Sequence, residues 1–259
     1  LASFAKVFPK STLLPESQLA IARTHVMDGS WVASIIEYDR WVTNYPAHPA
    51  LPQAEFDRAW LNHQAGNRAR AFQLFTNYVV RFPTNRLAPV AQKWIADHQF
   101  QSGKFAEAEQ GYRRLFENTN LLANARGSEW EARLNAGRSA FFRQEHAAAE
   151  LLLASVINAT NAPVAEQARA EFFLGDVAAD QTHRTPTNLF DALPHYQRVA
   201  DEMTDSPLHS LAWGRVGDCY LQLGNLGQAA AAYRAVTELP GTDVTTRSQA
   251  GLGLARVLE

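Results

Sequence analysis

A register of three residues recurs six times along this chain: a small residue, a bulky one four positions later, and another apolar one three positions after that. The sets are Ser34-Tyr38-Trp41, Ala71-Phe75-Tyr78, Ala108-Tyr112-Leu115, Ala149-Leu153-Val156, Ala192-Tyr196-Val199 and Ala229-Tyr233-Val236, and the first three lie 37 residues apart. Spacings of four and seven put the three residues on one face of a helix. A fixed period of this length marks supersecondary units that bury their apolar faces only by stacking on one another. The length of 259 residues therefore does not count domains.

Two further positions keep the same period. Gly29, Gly66 and Gly103 precede the first three sets, Gly224 precedes the sixth, and Gln144 stands at that place in the fourth. Glycine there adopts the left-handed conformation that ends one helix and lets the next begin. Upstream, Ala22, Ala59, Ala96, Gly137, Gly175 and Gly217 form a second series of small residues, suited to close approach of two helices. Each unit is thus a helical hairpin. The linkers Phe8-Pro9 with Pro15, Tyr45-Pro46 with Pro52, and Phe82-Pro83 with Pro89 stop one helix and open the next.

The fold expected is all-α, a single solenoid over 1–259 with hairpins at 16–46, 52–83, 89–120, 127–161, 163–204 and 207–240. Residues 1–15 read as the end of a preceding repeat. Residues 245–259, with Ala250 and Leu254 at packing positions, read as the first helix of a further one, so that the array is expected to continue at both ends. The spacing widens to 41 between Ala108 and Ala149 and to 43 between Ala149 and Ala192, which places insertions at Asn118 to Arg126 and Gln181 to Asn188. The second is polar, contains Pro186 and reads as an exposed loop.

Lys plus Arg number 24 against 26 Asp plus Glu, a net charge of -2, which offers nucleic acid no global attraction. Cys219 is the single cysteine and sits among apolar positions, as a buried small hydrophobe does. The most apolar stretch, Ala147 to Ala159, contains Glu150 and is too short to cross a bilayer, so no direct membrane insertion is expected.

Trp213-x2-Val216-Gly217-x2-Tyr220, followed by Ala229-x3-Tyr233 and Pro240, resembles the tetratricopeptide repeat. The fifth unit keeps Leu174-Gly175 and Ala192-x3-Tyr196, and the first four keep the second-helix half. The period and the Phe/Tyr-Pro linkers are more similar to a bacterial cell-envelope branch of that family, of the outer-membrane assembly lipoprotein or Tol-Pal coordinator type. The resemblance implies a right-handed superhelix whose first helices line a concave, ligand-binding face. It also implies a periplasmic or envelope location, with a cytoplasmic one as the alternative.

Aligned by their small residues, the first helices place Phe56, Trp60, His63, Lys93, Asp97, Phe100, Leu134, Arg138, Phe141, Phe172 and Asp176 on that face, flanked by Leu19, Arg23, Gly214, Asp218 and Leu221. Aromatic anchors beside a few charges suit a groove for a protein or peptide segment. The same aromatics can instead pack between neighbouring hairpins. A clamp for a terminal carboxylate is not expected, because Leu19, Phe56 and Leu134 stand where the resemblance asks for Lys.

No phosphate-binding glycine loop, nucleophile elbow, zinc-protease motif or cysteine pair occurs, so neither catalysis nor a cofactor is expected. His98 beside Asp97 and His146 after Glu145 point to different helix faces and read as surface or capping residues, and His195 after Pro194 reads as solvated. The function expected is a non-enzymatic interaction scaffold. The alternative is a structural spacer or self-assembly module of a larger envelope protein, associating through its repeat ends.

Overall fold

A computed structural model describes residues 4–8, 10–125, 127–181 and 189–259. The described residues form helices and turns without strands, and the chain divides into two compact units, 1–126 and 127–259. In the first unit a short α1 (Phe4–Val7) precedes three hairpins: α2 (Leu14–Met27) with α3 (Trp31–Asn44), α4 (Leu51–Gln64) with α5 (Arg68–Arg81), and α6 (Ala88–Gln101) with α7 (Phe105–Glu117). A short α8 (Thr119–Leu122) follows. In the second unit α9 (Glu129–Phe142) pairs with α10 (His146–Ile157), α11 (Val164–Gln181) with α12 (Leu189–Glu202), and α13 (His209–Gln222) with α14 (Leu226–Glu238). The final α15 (Val244–Leu258) packs on α13 and α14.

All eighteen residues of the recurring register are at most 2% exposed. The repeat is therefore a core pattern: each second helix pushes its bulky residue against the small residue of its own first helix. Where that residue is glycine, the bulky side chain lies directly against it. A methyl group built on Gly175 would lie 2.5 Å from the Tyr196 ring, and one on Gly217 would lie 2.6 Å from the Tyr233 ring. Tyr233 is clamped from its other side too, because a methyl group on Gly253 of α15 would stand 2.5 Å from the same ring.

Five hairpin turns share one hydrogen-bond scheme, in which the residue after the turn position donates to the carbonyl five residues back. It recurs as Ser30 N to His25 O (2.8 Å), Asn67 N to Asn62 O (2.8 Å), Lys104 N to Gln99 O (2.9 Å), Glu145 N to Ala140 O (3.0 Å) and Asn225 N to Tyr220 O (2.8 Å). This Schellman closure needs a left-handed residue at the turn. Gly29, Gly66, Gly103 and Gly224 supply it, and Gln144 adopts the same conformation at φ 64°.

The linkers repeat a feature that residue identity hides. Ser11 Oγ, His48 Nδ1, Asn85 Oδ1 and Ser206 Oγ each accept a hydrogen bond from the backbone N–H two residues on, at 2.9 to 3.2 Å. The turn so formed leads into α2, α4, α6 or α13, and Pro15, Pro52 and Pro89 stand in the first turns of the first three. The insertion near Asn118 folds as α8, capped by the Asn118 side chain and anchored by the buried Leu121. Asn124 Nδ2 donates to Thr84 O across the preceding linker at 3.3 Å. The insertion read at Gln181 to Asn188 lies outside the described residues, apart from the backbone end of α11, and so do Pro9 and Arg126.

Candidate functional site

The first helices of the first unit carry a continuous run of rings. On α4, Phe56 stacks on Trp60 (6.4 Å between centroids, 8° between planes), and Trp60 meets His63 edge-on at 5.4 Å. His63 reaches across to Trp94 of α6 at 5.3 Å, and Trp94 lies parallel to His98 at 5.3 Å and 4°. Two neighbours in this run differ in role. Phe56 is half-buried and abuts Phe75 and Tyr78, whereas Trp60 is 40% exposed. Trp94 and His98 join this run from α6, and Trp94 also packs on the buried Phe75 of α5 at 4.7 Å.

The charges of this face are partly committed. Asp97 receives Lys93 Nζ at 3.0 Å and the Tyr112 hydroxyl at 2.7 Å, so Lys93 and Asp97 hold each other on one helix. Phe100 sits edge-on to Phe105 at 5.3 Å, closing the turn into α7. His98 is no plain surface residue, since its ring also contacts Phe72 at 5.3 Å. Burial, followed by the positive charges of Arg68 and Lys104 and by His63, lowers its pKa below 6.5.

In the second unit two of the expected groove residues are in the core: Leu134 is 2% and Phe172 3% exposed. The reason is helical geometry. Both precede their small residue by three positions, hence share its buried face. Leu19 at the equivalent place is buried as well. One position after the small residue the side chains face outward: Trp60, Asp97, Arg138 and Asp176. Arg138 lies over the Phe173 ring at 4.7 Å, and Phe141 contacts His146 at 6.1 Å.

A cleft of about 400 Å³ runs along the first helices of this unit, lined among others by Phe141, Asp176, Asp180, Arg215 and Asp218. Its polar groups are interlocked. The Tyr196 hydroxyl donates to Asp176 Oδ1 at 2.7 Å, Tyr233 donates to Asp218 Oδ1 at 2.8 Å, and Arg215 stands 3.7 Å from both aspartates. Burial raises the pKa of Asp176 above 3.8, partly offset by the Tyr196 hydrogen bond and by Arg215. His146 is tied to Asp180 at 2.7 Å. His195, expected in solvent, instead contacts the buried Glu171 at 2.8 Å, and Arg198 shares that carboxylate at 3.1 Å.

Aspartate one position after the small residue thus goes with tyrosine in the second helix: Asp97 with Tyr112, Asp176 with Tyr196, Asp218 with Tyr233. Where the second helix carries Phe75 or Leu153, the matching residues are Trp60 and Arg138. Among the described residues no group of three or more His, Cys, Asp or Glu side chains could hold a metal ion, and no helix is long and apolar enough to cross a membrane.

Residues 188–243 match the family described as tetratricopeptide repeat. No curated protein sequence matches the chain. Among solved structures it is similar to the C-terminal part of a TPR repeat-containing protein from Cytophaga hutchinsonii, at 15% identity and TM-score 0.71, covering 95% of this chain and 91% of that one. It is also similar to MamA (16% identity, TM-score 0.56, 74% and 92% covered) and to PilW, a widely conserved type IV pilus biogenesis factor (14% identity, TM-score 0.55, 96% and 100% covered). The chain therefore resembles tetratricopeptide-repeat proteins, by sequence over residues 188–243 and by fold over most of its length.

Proposed function

We propose that this protein is a non-enzymatic interaction scaffold that holds a protein or peptide segment against the outward faces of its first helices. The observation that carries this reading is the ring run Phe56, Trp60, His63, Trp94, His98, within which the Trp60 indole is 40% exposed. A large, rigid ring anchored from behind by other rings offers contact area at low entropic cost, as interface anchors do. Arg138 and Phe141 serve the same role in the second unit. Leu134 and Phe172 are left out of the binding set, and Asp97 and Asp176 act mainly through their tyrosines.

The test is site-specific photo-crosslinking in native cells. A photoreactive residue at Trp60 or Phe141 is expected to capture the same partner, while one at Leu151 of α10, 73% exposed, captures none. Adducts from Leu151 but not from Trp60 or Phe141 overturn the assignment. A cell-envelope setting, with a cytoplasmic alternative, belongs to the same proposal. It is supported by the Phe/Tyr-Pro linkers and is tested by fractionating those cells.

A second reading, self-association, is favoured by Val244, Leu252 and Leu258 of α15, each more than 60% exposed. A molecule that light scattering finds strictly monomeric at high concentration argues against it.

A further inference from the structure

Beside the ring run of the first unit lies a cleft of about 150 Å³ walled by His63, Arg68, Trp94, Asp97, His98 and Gln101. Its charge is unbalanced. The one carboxylate, Asp97, is already engaged by Lys93 and Tyr112. Arg68, at the start of α5, has no ion-pair partner among the described residues, and neither does Lys104, just before α7. Burial first, then the charges of Arg68 and Lys104 and His63, disfavours the protonated form of His98. His63 Nδ1 is buried without a hydrogen-bond partner among the described residues. The cleft thus gathers cationic and donor groups around two parallel rings, Trp94 and His98.

We propose that this cleft receives the carboxylate of an Asp or Glu side chain from the bound segment, paired with Arg68 and attracted by Lys104, its aliphatic stem lying on the Trp94 and His98 rings. The proposal rests on the reading of this face as the ligand-binding one. An arginine fork suits a carboxylate, and a pair formed beside apolar rings is screened less than one in open solvent. Asp97 at the edge of the cleft favours a singly charged group over a phosphate dianion. The site differs from a terminal carboxylate clamp: Leu19, Phe56 and Leu134 stand at three of its Lys positions, and Lys93, at the equivalent place on α6, is paired with Asp97.

The experiment titrates the whole chain with a capped hexapeptide holding a central Glu-Phe pair, and with its Gln-Phe and Lys-Phe counterparts. Affinity is read by calorimetry, and location by the NMR signals of the Trp94 indole and the His98 ring. The Glu peptide is expected to bind about tenfold more tightly than the Gln peptide and to shift both signals. Added salt narrows that gap. Arg68 and Lys104 are exposed, so the double variant R68E/K104E is expected to fold as the parent does and to prefer the Lys peptide. Three peptides that shift Trp94 and His98 with equal affinity overturn the carboxylate assignment while leaving this face a binding surface. A Glu preference that survives R68E/K104E, or no shift at either ring with the Glu peptide at millimolar concentration, also overturns the assignment. The scaffold reading then stands or falls on the crosslinking result.

Discussion

Tyr196 donates its hydroxyl to Asp176 at 2.7 Å across the space that Gly175 leaves open. The acceptor is a half-buried carboxylate whose folded pKa is raised above 3.8, chiefly by burial. A raised carboxyl pKa means that the folded state holds this proton more tightly than the unfolded one. The stability it contributes is complete below 3.8 and is lost as pH rises through the folded value. Asp176→Asn keeps an acceptor for Tyr196 without the charge. It is expected to raise stability at pH 7 by up to about 1 kcal/mol, with the advantage vanishing near pH 3. Urea unfolding of both proteins at the two pH values checks this.

Gly214 and Gly217 stand three residues apart on α13 and respond oppositely to a methyl group. Nothing lies within 4 Å of a Cβ at Gly214, so Gly214→Ala gains about 0.5–1 kcal/mol from helix propensity. A Cβ at Gly217 meets the buried Tyr233 ring at 2.6 Å, and the overpacking of about 1–3 kcal/mol outweighs the same gain. Thermal unfolding is expected to move up for the first variant and down for the second.

Gln144 takes a backbone conformation that four glycines adopt at equivalent turns. Gln144→Gly removes a left-handed strain of about 1 kcal/mol and is expected to stabilise the protein, whereas Gly103→Ala is expected to destabilise it by a similar amount. Chemical denaturation midpoints decide the sign of each.

Cys219 is buried on α13, and burial pushes its thiol up to about 11. Iodoacetamide at pH 8 is expected to label it about a hundredfold more slowly in the native protein than in urea. Mass spectrometry over time measures the ratio, and equal rates would contradict the burial.

The hairpins were legible because their determinants are coarse and local. Ser34, Tyr38 and Trp41, with their five later equivalents, differ in shape but agree in size and apolarity, and the turn position could be located even where Gln144 replaced glycine. The candidate face was less legible. Counting from the small residue placed Leu134 and Phe172 outward, although three residues is nearly one helical turn and returns to the buried side. The linker acceptors Ser11, His48, Asn85 and Ser206 escaped for a different reason. Their shared requirement is a lone pair two residues before a particular N–H, and unlike side chains meet it. Trp94 and His98 were missed because their place depends on the neighbouring helix, which no spacing within α6 reveals.

The ring of Tyr233 touches three helices at once, through Gly217 on α13, its own position on α14, and Gly253 on α15. Withdrawing any one of them uncovers a surface that the other two share. Hydrogen exchange in α13, α14 and α15 is therefore expected to proceed as one cooperative opening rather than as fraying helix by helix. The shared tyrosine ties the last helix of the chain to the hairpin before it as a single foldon.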